Sequence, residues 1–219
     1  MLRALLFDMN GVVIDDMRFH EEAWLALAAK HGRPLTVDEF RRTMSGRRNR
    51  DNVVHVFGDA LSDEQFRAYQ REKEEAYRAA YTPHRAFLPG FADLIGEARA
   101  AGVRVALATS APRENIDFIL DPLDLRRRLD AVVGEAEVKR AKPDPEIYLV
   151  AAARVGAEPS ECIVFEDSLQ GVASGRAAGM PVVGVTTTHT AAELADCALV
   201  VSDFRGLTLA RLQALVSGA

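Results

Sequence analysis

Six short apolar runs constrain this chain more than any other feature: Ala4–Phe7, Val103–Ala108, Ala131–Val133, Ile163–Phe165, Val182–Val185 and Ala198–Val201. Most are uninterrupted and do not alternate with polar residues, which is the pattern of a strand covered on both faces. Helical patterns stand between them, at Phe91–Ala101, Pro145–Val155 and Leu169–Ala178. Strand, helix and strand in repetition predict an α/β fold, a Rossmann-like parallel sheet with helices on both faces. In such sheets ligands sit at the carboxyl ends of the strands.

One stretch breaks the repetition. Between Asp16 and about Pro83 there is no strand pattern, only helical ones at Met17–His31, Val37–Met44, Asp51–Phe57 and Asp63–Tyr81. The chain therefore divides into a core of residues 1–14 and 88–219 and an inserted all-helical cap of residues 15–87, with "TPHRAFLPG" (Thr82–Gly90) as the return hinge. The last cap helix is dense in Arg, Lys and Glu and reads as a solvated face. At 219 residues, 48% of them apolar and 27% charged, the chain suits a single domain with an insertion. A formal charge of −5 argues against a nucleic-acid partner. Cys162 and Cys197 are too few and too far apart for a disulfide framework or zinc cluster, and both read as small apolar residues. Met1 leads directly into the first strand without a signal-peptide pattern, and the apolar stretches fall far short of a membrane span. The expectation is a cytoplasmic protein without membrane contact, a monomer or weak homo-oligomer.

The polar residues just beyond the strand ends carry the chemistry. Asp8 follows the first strand; Thr109-Ser110 follow the second and lead through Pro112 into a helix, a ready phosphate cradle. Lys142 precedes the helix opened by Asp144-Pro145, where Asp144 reads as a cap; Glu166-Asp167-Ser168 follow "CIVF". A nucleophile, hydroxyl and amide donors, a cation and carboxylates at separate strand ends meet the needs of phosphoryl transfer. Oxygen-only ligands with a substrate phosphate favour Mg²⁺.

With these motifs in view, the chain resembles the β-phosphoglucomutase-like phosphatase group of the haloacid dehalogenase superfamily. "LLFDMNG", "ALATSAP", "AKPDPEIY" and "VFEDSLQGVASGRAAGM" follow that group's order and spacing over essentially the whole chain. The resemblance implies that Asp8 is the nucleophile forming an aspartyl-phosphate and also binds Mg²⁺. It implies that Thr109 and Ser110 bind the phosphate, that Lys142 bridges phosphate and Asp8, and that Asp167 with Glu166 completes the metal site. The backbone carbonyl of Asn10 would be a further metal ligand. The implied partner is a small phosphorylated metabolite.

Asn10 departs from that pattern, which is Asp-x-Asp-Gly with the second Asp as general acid and base. Asn10 can do neither task, and such a group is typically worth about 10²–10⁴ in rate. A slow or selective enzyme is the expectation, with good leaving groups affected least. Three accounts fit the sequence: a natural residue with the proton work moved to the substrate or a cap group such as Asp15, Asp16 or His20; a substitution made to trap a complex; and deamidation at Asn10-Gly11. In the cap, His20 lies at helical spacing with Met17, Ala23, Trp24 and Leu27 and reads either as a packed helix residue or as a group bordering the site. The loop "SGRRNRDN" (Ser45–Asn52) reads either as a solvated turn or, through Gly46 and Arg48, as a grip on the substrate. Mutases of the group hold a second phosphate with an arginine in this loop, where this chain has Asn49. A Mg²⁺-dependent phosphatase leads; the alternatives are a phosphosugar mutase and an impaired phosphate-ligand-binding protein on the same scaffold.

Overall fold

The computed structural model describes residues 1–217. Its six strands are β1 (Ala4–Phe7), β2 (Arg104–Ala108), β3 (Ala131–Val133), β4 (Cys162–Glu166), β5 (Val182–Val185) and β6 (Leu199–Val201). They form one parallel sheet in the order β3-β2-β1-β4-β5-β6. The helices are α1 (Met17–Lys30), α2 (Val37–Thr43), α3 (Asn49–Phe57), α4 (Asp63–Tyr81), α5 (Phe91–Ala100), α6 (Arg113–Leu120), α7 (Glu146–Arg154), α8 (Leu169–Ala177) and α9 (Leu209–Ser217). Each of the six strands read from the sequence is present, β2 and β6 beginning one residue later than read and β4 extending one residue further at each end. α3 begins two residues before its predicted start, and α9 covers a stretch where the sequence reading places no element.

Burial follows the pleat. Leu5 and Phe7 of β1 enter one apolar cluster with residues of α5 and α9, while Ala4 and Leu6 enter a second with α7 and α8. Both faces of β1 are thus covered, which is why its sequence does not alternate. Phe7 pairs in register with Phe165 of β4 and stacks on it at 4.4 Å, and Phe91 and Phe204 pack edge-on against Phe7.

The helices α1–α4 have their own apolar centre, with Trp24, Leu27, Phe40, Met44 and Val53. They are not wholly separate from the sheet, because Phe19, Ala23, Tyr77 and Tyr81 belong to the cluster under β1. The two crossings between the helical insert and the sheet lie side by side, bridged at Ile14 and Phe87. The strand order reverses at β1: β2 and β3 lie on one side, β4 to β6 on the other. The ends of β1 and β4 therefore meet at the point where a parallel sheet offers its ligand crevice.

Candidate active site

Register delivers the first groups. With Phe7 opposite Phe165, Asp8 leaves β1 next to Glu166, and its N–H donates to the Phe165 carbonyl at 3.0 Å. Gly11 then turns the chain with φ +74°; a Cβ there would overlap the Asp167 carboxylate, so only glycine lets this loop lie against β4's end. Thr109 follows β2, 1% exposed, with its N–H donating to the Val133 carbonyl and its Oγ1 accepting from Ala111 N at 3.1 Å. Lys142, 5% exposed, reaches in from the loop before α7. Its Nζ donates to Asp8 Oδ1 and Glu166 Oε1, both at 2.6 Å. Asp144 lies one residue before the N-cap Pro145 and accepts from Glu146 N at 3.0 Å, a turn that leads into the helix in place of the expected cap.

Asp8, Thr109, Ser110, Lys142 and Asp167 line a single cavity between the sheet and the helical insert. Its charges do not balance locally: Asp8, Glu166 and Asp167 are buried beside one ammonium. Burial pushes Asp8 up to about 7, with Glu166 adding to the rise and Lys142 opposing it. Burial, then Glu166 and Asp8, push Asp167 well above the usual carboxylate range. Lys142 is pushed up as well: its own desolvation would lower it, but the Asp8 and Glu166 carboxylates that it touches outweigh that and hold it protonated. Two carboxylates facing one cavity with surplus negative charge make an all-oxygen donor set, the kind that suits a hard divalent cation keeping several waters. Among the described residues no three His, Cys, Asp or Glu side chains form a closed cage.

The opposite wall belongs to the insert. Asn10 Nδ2 donates to Asp16 Oδ2 at 2.6 Å and lies 3.1 Å from His20 Nε2. His20 stacks on Tyr77, whose hydroxyl donates to the same Asp16 oxygen. Lys73 Nζ is 2.7 Å from His20 Nδ1 and 2.8 Å from Glu74 Oε1. With Lys73 donating to Nδ1, a neutral His20 ring carries its proton on Nε2, toward Asn10 and Asp16. Glu74 also accepts from Asn49 at 2.6 Å and, across to the sheet side, from Asn115 of α6 at 2.6 Å; Arg78 donates to Asn115 Oδ1 at 2.9 Å. Burial alone would raise Glu74; Lys73, His20 and the Asn115 amide hold it down at about 2.

The structure brings most of the predicted residues together. Asp8, Asn10, His20, Gly46, Thr109, Ser110, Lys142 and Asp167 all line the cavity. Gly46 is required where it stands, because its φ is +76° and a Cβ would meet Ser168 Oγ at 2.8 Å. Two of the predicted residues lie outside the wall of this cavity. Glu166 does not line the cavity: Oε1 accepts from Lys142 and Tyr148, and Oε2 from the N–H groups of Asp167 and Ser168 and the Ser168 hydroxyl, so both oxygens are committed inside the protein. Arg48 lines a neighbouring cavity with Arg50, Phe66 and Glu135, 3.7 Å from Asp51, and it is Arg47 that borders the main one. Of the proposed substitutes for the acid, Asp15 is exposed, Asp16 is fully buried, and His20 alone lines the cavity.

Other participants escape the sequence reading. Thr188 donates to Asp167 and Thr187 to the Gly11 carbonyl, so the loop after β5 holds both sides of the crevice. The same search for polar residues beyond a strand end reaches "TTTH" (Thr186–His189). α4 is not only a solvated face: Lys73 and Glu74 are 2% and 3% exposed. Their signal is the stripe with Tyr77 and Tyr81 at helical spacing.

Fold and cavity together define a hydrolase of the haloacid dehalogenase type, and comparison with known proteins agrees. The family model of haloacid dehalogenase-like hydrolases matches residues 2–179. The chain belongs to that family. It is 32% identical over 209 residues to validoxylamine A 7'-phosphate phosphatase of Streptomyces hygroscopicus subsp. limoneus, covering 93% of this chain and 94% of that one. It is 31% identical over 179 residues to a phosphorylated carbohydrates phosphatase of Thermotoga maritima, covering 82% of each. The crystal structure of a HAD hydrolase of family IA, variant 3, from Entamoeba histolytica superposes with a TM-score of 0.89 at 29% identity, covering 99% of this chain and 100% of that one.

Proposed function

We propose that this protein is a Mg²⁺-dependent phosphatase that hydrolyses a small phosphorylated metabolite through an aspartyl-phosphate on Asp8. The observation that carries the reading is the convergence of Asp8, Thr109, Lys142 and Asp167 on one cavity from four separate loops. An Asp8 oxygen attacks phosphorus, the bond from phosphorus to the ester oxygen breaks, and the departing oxygen takes a proton. Water then attacks the phosphoryl group, the bond to Asp8 breaks, and inorganic phosphate and the carboxylate are released. Lys142, 2.6 Å from Asp8 Oδ1, favours the ionised form of that buried carboxylate against its desolvation and offers positive charge to the phosphoryl oxygens. Thr109 and Ser110, at the approach to α6, offer hydroxyls and backbone donors to the same group. Asp8, Asp167 and the Asn10 carbonyl would hold Mg²⁺, whose contribution is to neutralise phosphate charge.

Asn10 cannot move the proton in either step. Of the two cap side chains that touch the Asn10 amide, Asp16 at 2.6 Å is fully buried, and His20, with Nε2 at 3.1 Å, lines the cavity. A mutase needs a grip on a second phosphate, and Asn49 is engaged with Glu74 instead. A binding-only protein has no use for a buried carboxylate beside an ammonium. The test is turnover of acetyl phosphate and p-nitrophenyl phosphate with Mg²⁺ in the wild type and in Asp8→Ala. The reading expects release of phosphate that is lost in Asp8→Ala; equal rates in the two proteins would leave only the binding function.

A further inference from the structure

The cap wall of the cavity holds two polar atoms with nothing to bind. Ser45 and Asn52 line the cavity and are 7% and 4% exposed. Ser45 Oγ and Asn52 Oδ1 are buried without a hydrogen-bond partner. The Asn52 amide is fixed in direction, because Nδ2 donates to the Met44 carbonyl at 3.1 Å, so Oδ1 is an acceptor that lacks a donor. Native interiors rarely leave such atoms alone, and in a binding cavity they mark where a ligand completes the set. A fully ionised phosphate or a carboxylate has no hydrogen to offer Asn52 Oδ1. A hydroxyl does, and it satisfies Ser45 as donor or acceptor alike.

The charges on the same wall point the same way. Lys73 and Glu74 neutralise each other at 2.8 Å, and the Asn49 amide is held by Glu74. Arg48 faces the neighbouring cavity. Arg47 is left, and it is exposed at the rim.

We propose that Ser45 and Asn52 are specificity-determining residues that read hydroxyl groups on the unphosphorylated end of the substrate. The preferred substrate is then the monophosphate of a small polyhydroxylated molecule with an uncharged distal end, and not a bisphosphate. This rests on the phosphatase reading above and adds to it a choice among esters.

The test is steady-state hydrolysis by the Mg²⁺-loaded protein of pentose and hexose monophosphates, their deoxy analogues, the matching bisphosphates, and p-nitrophenyl phosphate. The expected kcat/KM for the best polyol monophosphate exceeds that for its bisphosphate and for its least favourable deoxy analogue by about tenfold or more. In Ser45→Ala and Asn52→Ala the ratio of polyol ester to p-nitrophenyl phosphate falls about tenfold, and the deoxy analogue loses little beyond that. The deoxy series on the wild type and the Ser45→Ala variant decide the matter even if Asn52→Ala does not fold. A preference for bisphosphates, which would place a second phosphate on Arg47, overturns the proposal, as does an unchanged ratio in both variants. Hydrolysis of p-nitrophenyl phosphate in those cases leaves the phosphatase reading intact; no hydrolysis of any ester overturns both.

Discussion

Asn10 sits among groups that ask for an acceptor. Asp16 Oδ2 takes the hydrogen from Asn10 Nδ2, and with Lys73 donating to Nδ1 a neutral His20 turns its Nε2 hydrogen toward an amide nitrogen that cannot receive it. A carboxylate at this position accepts from His20 and regains the proton steps. Asn10→Asp is accordingly expected to raise kcat on poor leaving groups by about 10²–10⁴, with a smaller gain on p-nitrophenyl phosphate. Steady-state kinetics on the two substrate types measures it, and equal rates in the two forms would show that residue 10 takes no part in proton transfer. Peptide mass spectrometry of an active preparation decides the deamidation account, which requires Asp or isoaspartate at position 10. Phe7, fully buried and packed on three other rings, carries the matching structural prediction: Phe7→Ala is expected to lose about 3–5 kcal/mol in denaturant unfolding.

At the scale of elements, the junction of α4 with α6 is the contact that shapes the cavity. Asn115, fully buried on the helix that follows the phosphate loop, joins Glu74 and Arg78 of α4 across the crevice. Asn115→Ala leaves Glu74 short of one donor and is expected to cost about 1–3 kcal/mol, read as a lowered urea midpoint together with a raised KM. Glu74 gives this junction a pH signature. Its carboxyl is held at about 2 against an ordinary value of 4.5, so its stabilising contribution is complete above the ordinary value. That contribution, roughly 3 kcal/mol, fades as pH falls from about 4.5 toward 2. Glu74→Gln has no such proton to take up, and its stability is expected to fall less steeply over that range in urea titrations; parallel acid profiles would contradict the assignment.

Over the whole molecule, the sheet was legible because its strands are short apolar runs whose burial on both faces suppresses alternation. The crevice was legible because strand ends at a reversal in strand order are where polar residues gather. Asp8, Thr109, Lys142 and Asp167 needed nothing beyond that rule and the spacing of the motifs. What remained hidden depends on contacts between distant segments. Glu166 and Asp167 are neighbours in sequence, yet one turns inward to Lys142 and Tyr148 and the other faces the cavity, a difference set by which side of β4's end each leaves. Arg47 and Arg48 part in the same way around the start of α3. Lys73 and Glu74 look solvated by composition and are buried because His20, Asn49 and Asn115 converge on them from three other helices.

The central claim is that Asp8 takes the phosphoryl group. The most direct measurement is acid quenching of the Mg²⁺-loaded protein with acetyl phosphate, followed by peptide mass spectrometry. Because Asn10 cannot activate the water of the second step, a covalent phosphoryl group is expected to accumulate on the peptide containing Asp8 and to be absent in Asp8→Ala. Phosphate release without that adduct, or the adduct on another residue, would contradict the account.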